Sequence, residues 1–180
     1  MNNKNKIVVA LLIFGFLAFC TVQFVIIPHN NAKQQQYDSN QNDSLTHDVE
    51  SVLDYKSAYM GDSVNYANLF YHLPLYTVTM KFKANSEKCF LTVNYLDTVW
   101  NIGEDKVHRD LIYNSVAAMA LIDNLKQVTY EFSGATFVFT REEIQDSFGK
   151  DLTSLLSREV WNKNIQNRLN DINFVNGFYK

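Results

Sequence analysis

Hydrophobic and polar residues divide this chain into three regimes. From Ile7 to Ile27 the run IVVALLIFGFLAFCTVQFVII holds 21 residues without a charge, and only Thr21 and Gln23 are distinctly polar. As a helix it would extend ~31 Å at ~1.5 Å per residue, which matches a hydrocarbon layer ~30 Å thick. A buried core helix would show a polar face, and none is visible; the pattern predicts a single transmembrane helix over residues 7–27, with lipid as its partner. Residues 28–47, PHNNAKQQQYDSNQNDSLTH, follow with eight Asn or Gln. By composition they read as a disordered tether, because so little apolar area cannot offset the entropy of ordering.

Residues 48–180 alternate between two periods. YTVTMKFK sets Tyr76, Val78, Met80 and Phe82 on one face and Thr77, Thr79, Lys81 and Lys83 on the other, the period of a strand. CFLTVNYL follows after the polar ANSE. A hairpin in which Lys83 faces Lys88 would pair Phe82 with Cys89, Met80 with Leu91 and Val78 with Val93, apolar against apolar. In VTYEFSGATFVF a two-residue Ser133-Gly134 turn pairs Phe132 with Ala135, Tyr130 with Phe137 and Val128 with Phe139. Between the hairpins, Val107, Leu111, Ile112, Ala118, Met119, Ile122 and Leu125 recur at helical spacing. Thr140 and Glu143 form a capping box for a short helix ending at Gly149, and Trp161, Ile165, Leu169 and Ile172 mark a longer one. The predicted fold is α+β: a four-stranded antiparallel sheet made of two β-hairpins, with helices packed on one face.

Charge adds an orientation. Lys4 and Lys6 are the only charges before Pro28, so the positive-inside bias leaves residues 1–6 as a cytoplasmic stub and puts residues 48–180 outside the cell membrane. Beyond Pro28, 14 Lys and Arg face 19 Asp and Glu, a net charge of −5. An acidic domain is a poor match for phosphate backbones, and no nucleic-acid partner is expected. Cys20 lies in the apolar run and Cys89 beyond it, so the two are not expected to pair. The minority reading of a lipoprotein anchored through Cys20 has two features against it: bulky Phe19 stands before the cysteine, and the apolar run continues beyond it.

Candidate chemistry is sparse. His47, His72 and His108 occur singly, without an H-E-x-x-H or clustered cysteines, so neither a metal nor a cofactor is expected. Cys89 falls on the inward face of its predicted strand, as a buried thiol. There is no G-x-S-x-G elbow. A cell-envelope hydrolase would have to draw its acids from Asp62, Glu104 or Asp105, converging in a cleft. Trp100, Tyr113, Tyr66 and Tyr71 could line a ligand groove, although most aromatics in such a chain must be core.

The stretch GDSVNYANLFYHLP reads as a helix labelled at both ends. Asp62 or Ser63 is the N-cap, Val64, Ala67, Phe70 and Leu73 form the stripe, and Pro74 stops it. Gly61 is expected to supply an unusual backbone angle on entry. Tyr55, Lys56, Tyr59, Gly61 and Asp62 are the candidate binding residues, at a recognition edge beside a helix amino terminus that favours anions. The same residues carry a resemblance. YKSAYMGDSVNYANLFYHLP, then LTVNY, then FTREEIQDSFGKDL resembles the bacterial domain-of-unknown-function 4825 family over about residues 50–160. Its most specific part is the Tyr-x-Gly-Asp segment at Tyr59, Gly61 and Asp62. The resemblance implies a membrane-anchored or exported protein, mostly of Gram-positive bacteria, and no established activity. The expectation is an uncharacterised, non-enzymatic extracytoplasmic module, anchored in the membrane, that binds a ligand or another envelope protein.

Overall fold

A computed structural model describes residues 2–179, with side chains for all but residues 4, 6 and 8–10. The Lys4 and Lys6 side chains, on which the expected orientation rests, and Lys180 lie outside the described set. The chain divides into two units, residues 1–39 and 40–180.

The first unit is helical. Helix α1 (Asn3–Thr21) passes through a π-helical turn (Val22–Ile26) into α2 (Ile27–Gln41). The turn has a local cause. Pro28 has no N–H to offer the carbonyl one turn back, and immediately before it the ladder widens so that the N–H of Ile27 reaches the carbonyl of Val22. Thr21 turns its hydroxyl back onto the carbonyl of Leu17 at 2.9 Å, so this polar side chain is satisfied within the helix. Large apolar side chains stand exposed all around this helix, Phe14, Phe16, Leu17, Phe19 and Phe24 among them. Among the described residues one helix, within Leu11–Gln41, is long and apolar enough to cross a membrane. That is consistent with a single-pass or signal anchor.

The second unit is α+β. Strands β1 (Met80–Asn85), β2 (Phe90–Tyr95), β3 (Gln127–Phe132) and β4 (Ala135–Thr140) form one sheet in the order β1-β2-β3-β4. The outer pairs are antiparallel, but β2 and β3 run parallel, so the sheet is mixed and the all-antiparallel expectation is corrected. The reason lies in the connection. Helices α4 (Val99–Ile102) and α5 (Glu104–Leu121) carry the chain back along the sheet, so β3 starts at the same end as β2. The β3–β4 hairpin has the expected register, with Tyr130 opposite Phe137 and Gly134 at φ +88° in the turn.

The β1–β2 hairpin does not. Met80 pairs with Tyr95, Phe82 with Val93 and Asn85 with Phe90, which leaves Ser86 to Cys89 as the turn. The side chain of Asn85 accepts the N–H of Lys88 there, and Cys89 closes the turn at φ +58°. Cys89 is therefore a half-buried turn residue, not an inward strand residue. The displacement is an even number of residues, so the strand residues from Met80 onward keep their predicted faces, while Tyr76, Thr77, Val78 and Thr79, predicted as strand, lie in the turns before it.

Leu91, Val93, Tyr95, Val128, Tyr130 and Phe132 alternate inward and are buried, while Thr92, Asn94, Thr129 and Glu131 point to the other face. Each such burial is worth about 1.5–3 kcal/mol for a large aliphatic or aromatic group. Helix α5 is buried on every side from Asp110 to Leu121. One side meets the sheet through Tyr130, whose hydroxyl lies 3.1 Å from Ser115 Oγ. Another is reached by Trp161, which meets Tyr113 edge-on at 5.1 Å from the helical stretch that α7 (Arg158–Trp161) opens. Helix α6 (Arg141–Phe148) starts at the predicted Thr140–Glu143 capping box and ends at Gly149, φ +110°. Its first residue, Arg141, donates to the carbonyls of Met119, Ile122 and Leu125, closing the carboxyl end of α5. Trp161, Ile165 and Leu169 are buried as expected; Ile172 opens a separate helix, α8 (Ile172–Asn176), and is exposed.

Composition assigns residues 28–47 to a tether, whereas here residues 27–41 are helical and the folded unit begins at Asn40. The segment from Asn42 to Asp48 is held by specific polar bonds, with Leu45 as its one aliphatic contact to the core. Asp110, fully buried on α5, accepts the N–H of Ser44 and a bond from the ammonium of Lys106. Burial pushes its carboxyl above the usual range while Lys106 opposes the shift. Gln166 donates to the carbonyls of both Ser44 and His47. His47, also buried, spans Tyr113 and the carbonyl of His72.

Candidate functional site

The predicted recognition edge leads into α3 (Ser63–Phe70). Asp62 is its N-cap, its carboxylate accepting the N–H groups of Val64 at 3.0 Å and Asn65 at 3.1 Å. The buried stripe is Tyr66, Leu69, Phe70 and Leu73, while Val64 is 66% exposed and faces away from the core. Gly61 has no left-handed backbone angle, and a Cβ built on it would meet nothing within 4 Å. The expected entry strain is absent. Tyr55 packs against His72 with ring centroids 5.2 Å apart and its hydroxyl 3.1 Å from Nδ1. Lys56 is exposed, and Tyr59 is 73% exposed.

The loop beneath these residues is pinned at two points. Ser57 forms a bridge with the segment after α5, donating to the carbonyl of Leu121 and accepting from Asp123. Met60, buried, donates its N–H to Asn124 at 2.8 Å. Tyr59 thus stands out from a backbone held on both sides. Of the acids considered for hydrolysis, Asp62 is committed to its cap, and Glu104 and Asp105 open α5. Only Glu104 lines one of the four concavities described in the unit.

That concavity, about 400 Å³, is lined by Val99, Trp100, Glu104, His108, Ala135, Phe137 and Tyr179. Trp100, Glu104 and His108 follow one another at i, i+4, i+8 across the α4–α5 junction, where Gly103 at φ +105° lets the second helix restart. Tyr179 stacks on His108 at 3.9 Å and 16°, its hydroxyl donating to the His108 carbonyl at 2.6 Å. Phe137 on β4 meets both rings edge-on, at 5.6 Å and 5.5 Å. Burial holds His108 below its ordinary pKa, with Glu104 and Asp105 pulling the other way. Trp100 itself is 90% exposed.

Sequence reasoning named Trp100, but with Tyr113 and Tyr66, which are buried in the core, and Tyr71, which is half-exposed and packs on Phe82. It missed His108, Phe137 and Tyr179. The legible signal was the four-residue spacing of Trp100, Glu104 and His108; Tyr179 arrives by tertiary packing. Among the described residues no group of three or more His, Cys, Asp or Glu could hold a metal ion.

The family described as Domain of unknown function (DUF4825) matches residues 52–144, just over half of the chain. The chain belongs to the DUF4825 family. The DUF4825 match runs from Val52, in the 3-10 helix Val49–Tyr55, to Ile144 in α6, and so takes in the Tyr59–Asp62 loop, the whole sheet and α5. It leaves out the apolar helix, the Asn42–Asp48 segment and the carboxy-terminal region that supplies Trp161, Gln166 and Tyr179. No curated protein and no solved structure matches the chain.

Proposed function

We propose that this DUF4825 protein is a non-catalytic binding module, anchored by residues 7–27 in the cell membrane with its acidic folded unit outside. The single observation that carries the reading is the apolar helix: an uncharged run with Phe and Leu exposed on all its sides is unsuited to water and suited to lipid. The charge asymmetry about that run supports the orientation, Lys4 and Lys6 before it and a net −5 after it. Anchoring confines the unit to a plane and raises its effective concentration for neighbours in the envelope. The surface we assign to a neighbouring envelope protein is the Tyr55–Asp62 loop, with Tyr59 and Lys56 as the contacting side chains. Its support is the pinned backbone, which presents an aromatic group at little cost in ordering entropy.

Alkaline carbonate extraction of membranes tests the anchor. The full chain should stay in the pellet, and a chain lacking residues 7–27 should leave with the soluble fraction. Extraction of the full chain by carbonate would contradict the reading.

A further inference from the structure

The pocket between the α4–α5 junction, β4 and Tyr179 has no part in the reading of the Tyr55–Asp62 loop. Its wall is three rings in mutual contact, His108 stacked on Tyr179 with Phe137 edge-on to both. That wall is fixed at its far end by the hydroxyl of Tyr179 on the His108 carbonyl. A fourth ring, Trp100, lines the pocket while remaining almost wholly exposed, an arrangement that leaves about its full apolar surface to be covered by something else. The charge comes from Glu104, which makes no hydrogen bond and no ion pair among the described residues and so retains its acceptor capacity. Burial holds the pKa of His108 below its ordinary value, and among the described residues no Lys or Arg lines the space.

We infer that the pocket lined by Trp100, Glu104, His108, Phe137 and Tyr179 is a binding site for a small alkylammonium cation. Ring faces attract such a cation through their quadrupoles, and quaternary ammonium groups are recognised by aromatic walls of this kind. The Glu104 carboxylate supplies the opposite charge. An anion would meet an uncompensated carboxylate and an electron-rich wall, and a neutral apolar ligand would leave Glu104 desolvated without a partner. The volume, about 400 Å³, lies at the small end of the roughly 300–1,000 Å³ typical of ligand sites and suits a compact head group. Glu143 and Asp146 line another concavity, but there Glu143 is committed to Thr140, Asp146 has the exposed Lys150 beside it, and the Phe174 ring already carries the guanidinium of Arg168 at 4.0 Å. The cation site goes beyond the loop reading and is tested on the purified chain, so its failure would leave the membrane anchor and the Tyr59 loop untouched.

The test titrates the full chain in maltoside micelles, which contain no ammonium group, with choline and with n-butylammonium. Fluorescence follows Trp100, since the chain's other tryptophan, Trp161, is buried; calorimetry gives an independent affinity. The expected result is saturable binding of the cations, with 3,3-dimethylbutan-1-ol, the neutral isostere of choline, weaker by about tenfold or more. Glu104→Gln, an exposed position, should weaken choline by about tenfold, with the thermal midpoint unchanged. Trp100→Ala should abolish the fluorescence response and weaken the calorimetric affinity. Equal binding of the neutral isostere, unchanged choline affinity in Glu104→Gln, saturable binding of N-acetylglucosamine in place of the cations, or no saturable response to either cation would each overturn the assignment.

Discussion

Nδ1 of His47 lies 2.7 Å from the hydroxyl oxygen of Tyr113, while its Nε2 lies 2.8 Å from the carbonyl of His72. A carbonyl can only accept, so Nε2 carries the proton and Nδ1 accepts from the tyrosine. The neutral imidazole thus joins three parts of the folded unit: the polar Asn42–Asp48 segment, the middle of α5, and the end of α3.

That geometry predicts a pH dependence. Burial lowers the pKa of His47 from 6.5 to about 4, the neighbouring His72 carbonyl and Asp48 opposing. A depressed histidine pKa means that the unfolded chain takes up a proton first as pH falls. Stability from this group is therefore complete above about pH 6.5, declines between about 6.5 and 4, and levels off below that. At 1.36 kcal/mol per unit the loss is roughly 3 kcal/mol. Urea melts at pH 7 and pH 4 should show the native chain losing about that much more than His47→Gln.

Removing the carboxylate of Asp110 should be more damaging than its place on a helix surface would suggest. It is fully buried, and its loss leaves the N–H of Ser44 without its acceptor and the partly exposed ammonium of Lys106 with the carbonyl of Asn42 alone. Asp110→Ala should cost about 1–3 kcal/mol, read as a fall in the denaturation midpoint. The exposed pair of Asp146 with Lys150 is the contrast, and breaking it by Asp146→Ala should cost under about 1 kcal/mol in the same melts.

Two glycines separate backbone need from mere smallness. Gly134 turns the β3–β4 hairpin at φ +88°, where a side chain is strained, and Gly134→Ala should destabilise by about 1 kcal/mol or more. Gly61 has no such angle and open space around it, so Gly61→Ala should change stability by less than about 0.5 kcal/mol. Thermal melts of the two variants side by side decide the point.

At the start of α3, Asp62→Ala should cost about 0.5–2 kcal/mol, because two N–H groups lose their acceptor. Asp62→Asn, which keeps the acceptor oxygen, should recover most of that in the same melts.

These residues also show why some of the fold was legible and some was not. The β3–β4 register could be read because Ser133-Gly134 is a two-residue turn flanked by alternating apolar residues. The capping box at Thr140 was legible for a similar reason, since its partners lie three residues apart. The β1–β2 register was not, because its turn contains no glycine and places Cys89 at positive φ, which composition does not announce. The parallel pairing of β2 with β3 depends on how α5 packs, a tertiary matter. The Asn42–Asp48 segment escaped notice because composition counts apolar area, whereas Ser44 and His47 are buried through single bonds to Asp110, Tyr113 and Gln166. At the candidate pocket Trp100 and Glu104 could be named in advance, but Tyr179 is brought to His108 from 71 residues away.

Labelling of intact cells with a membrane-impermeant maleimide tests most directly whether the apolar helix crosses a membrane with the acidic unit outside. In a chain carrying Cys20→Ser and Cys89→Ser, a cysteine is introduced at exposed Glu87 in the β1–β2 turn, or at Asn3 before the apolar run. Glu87→Cys should be modified in intact cells, and Asn3→Cys only after lysis. Protection of Glu87→Cys until the cells are broken would contradict the proposed topology.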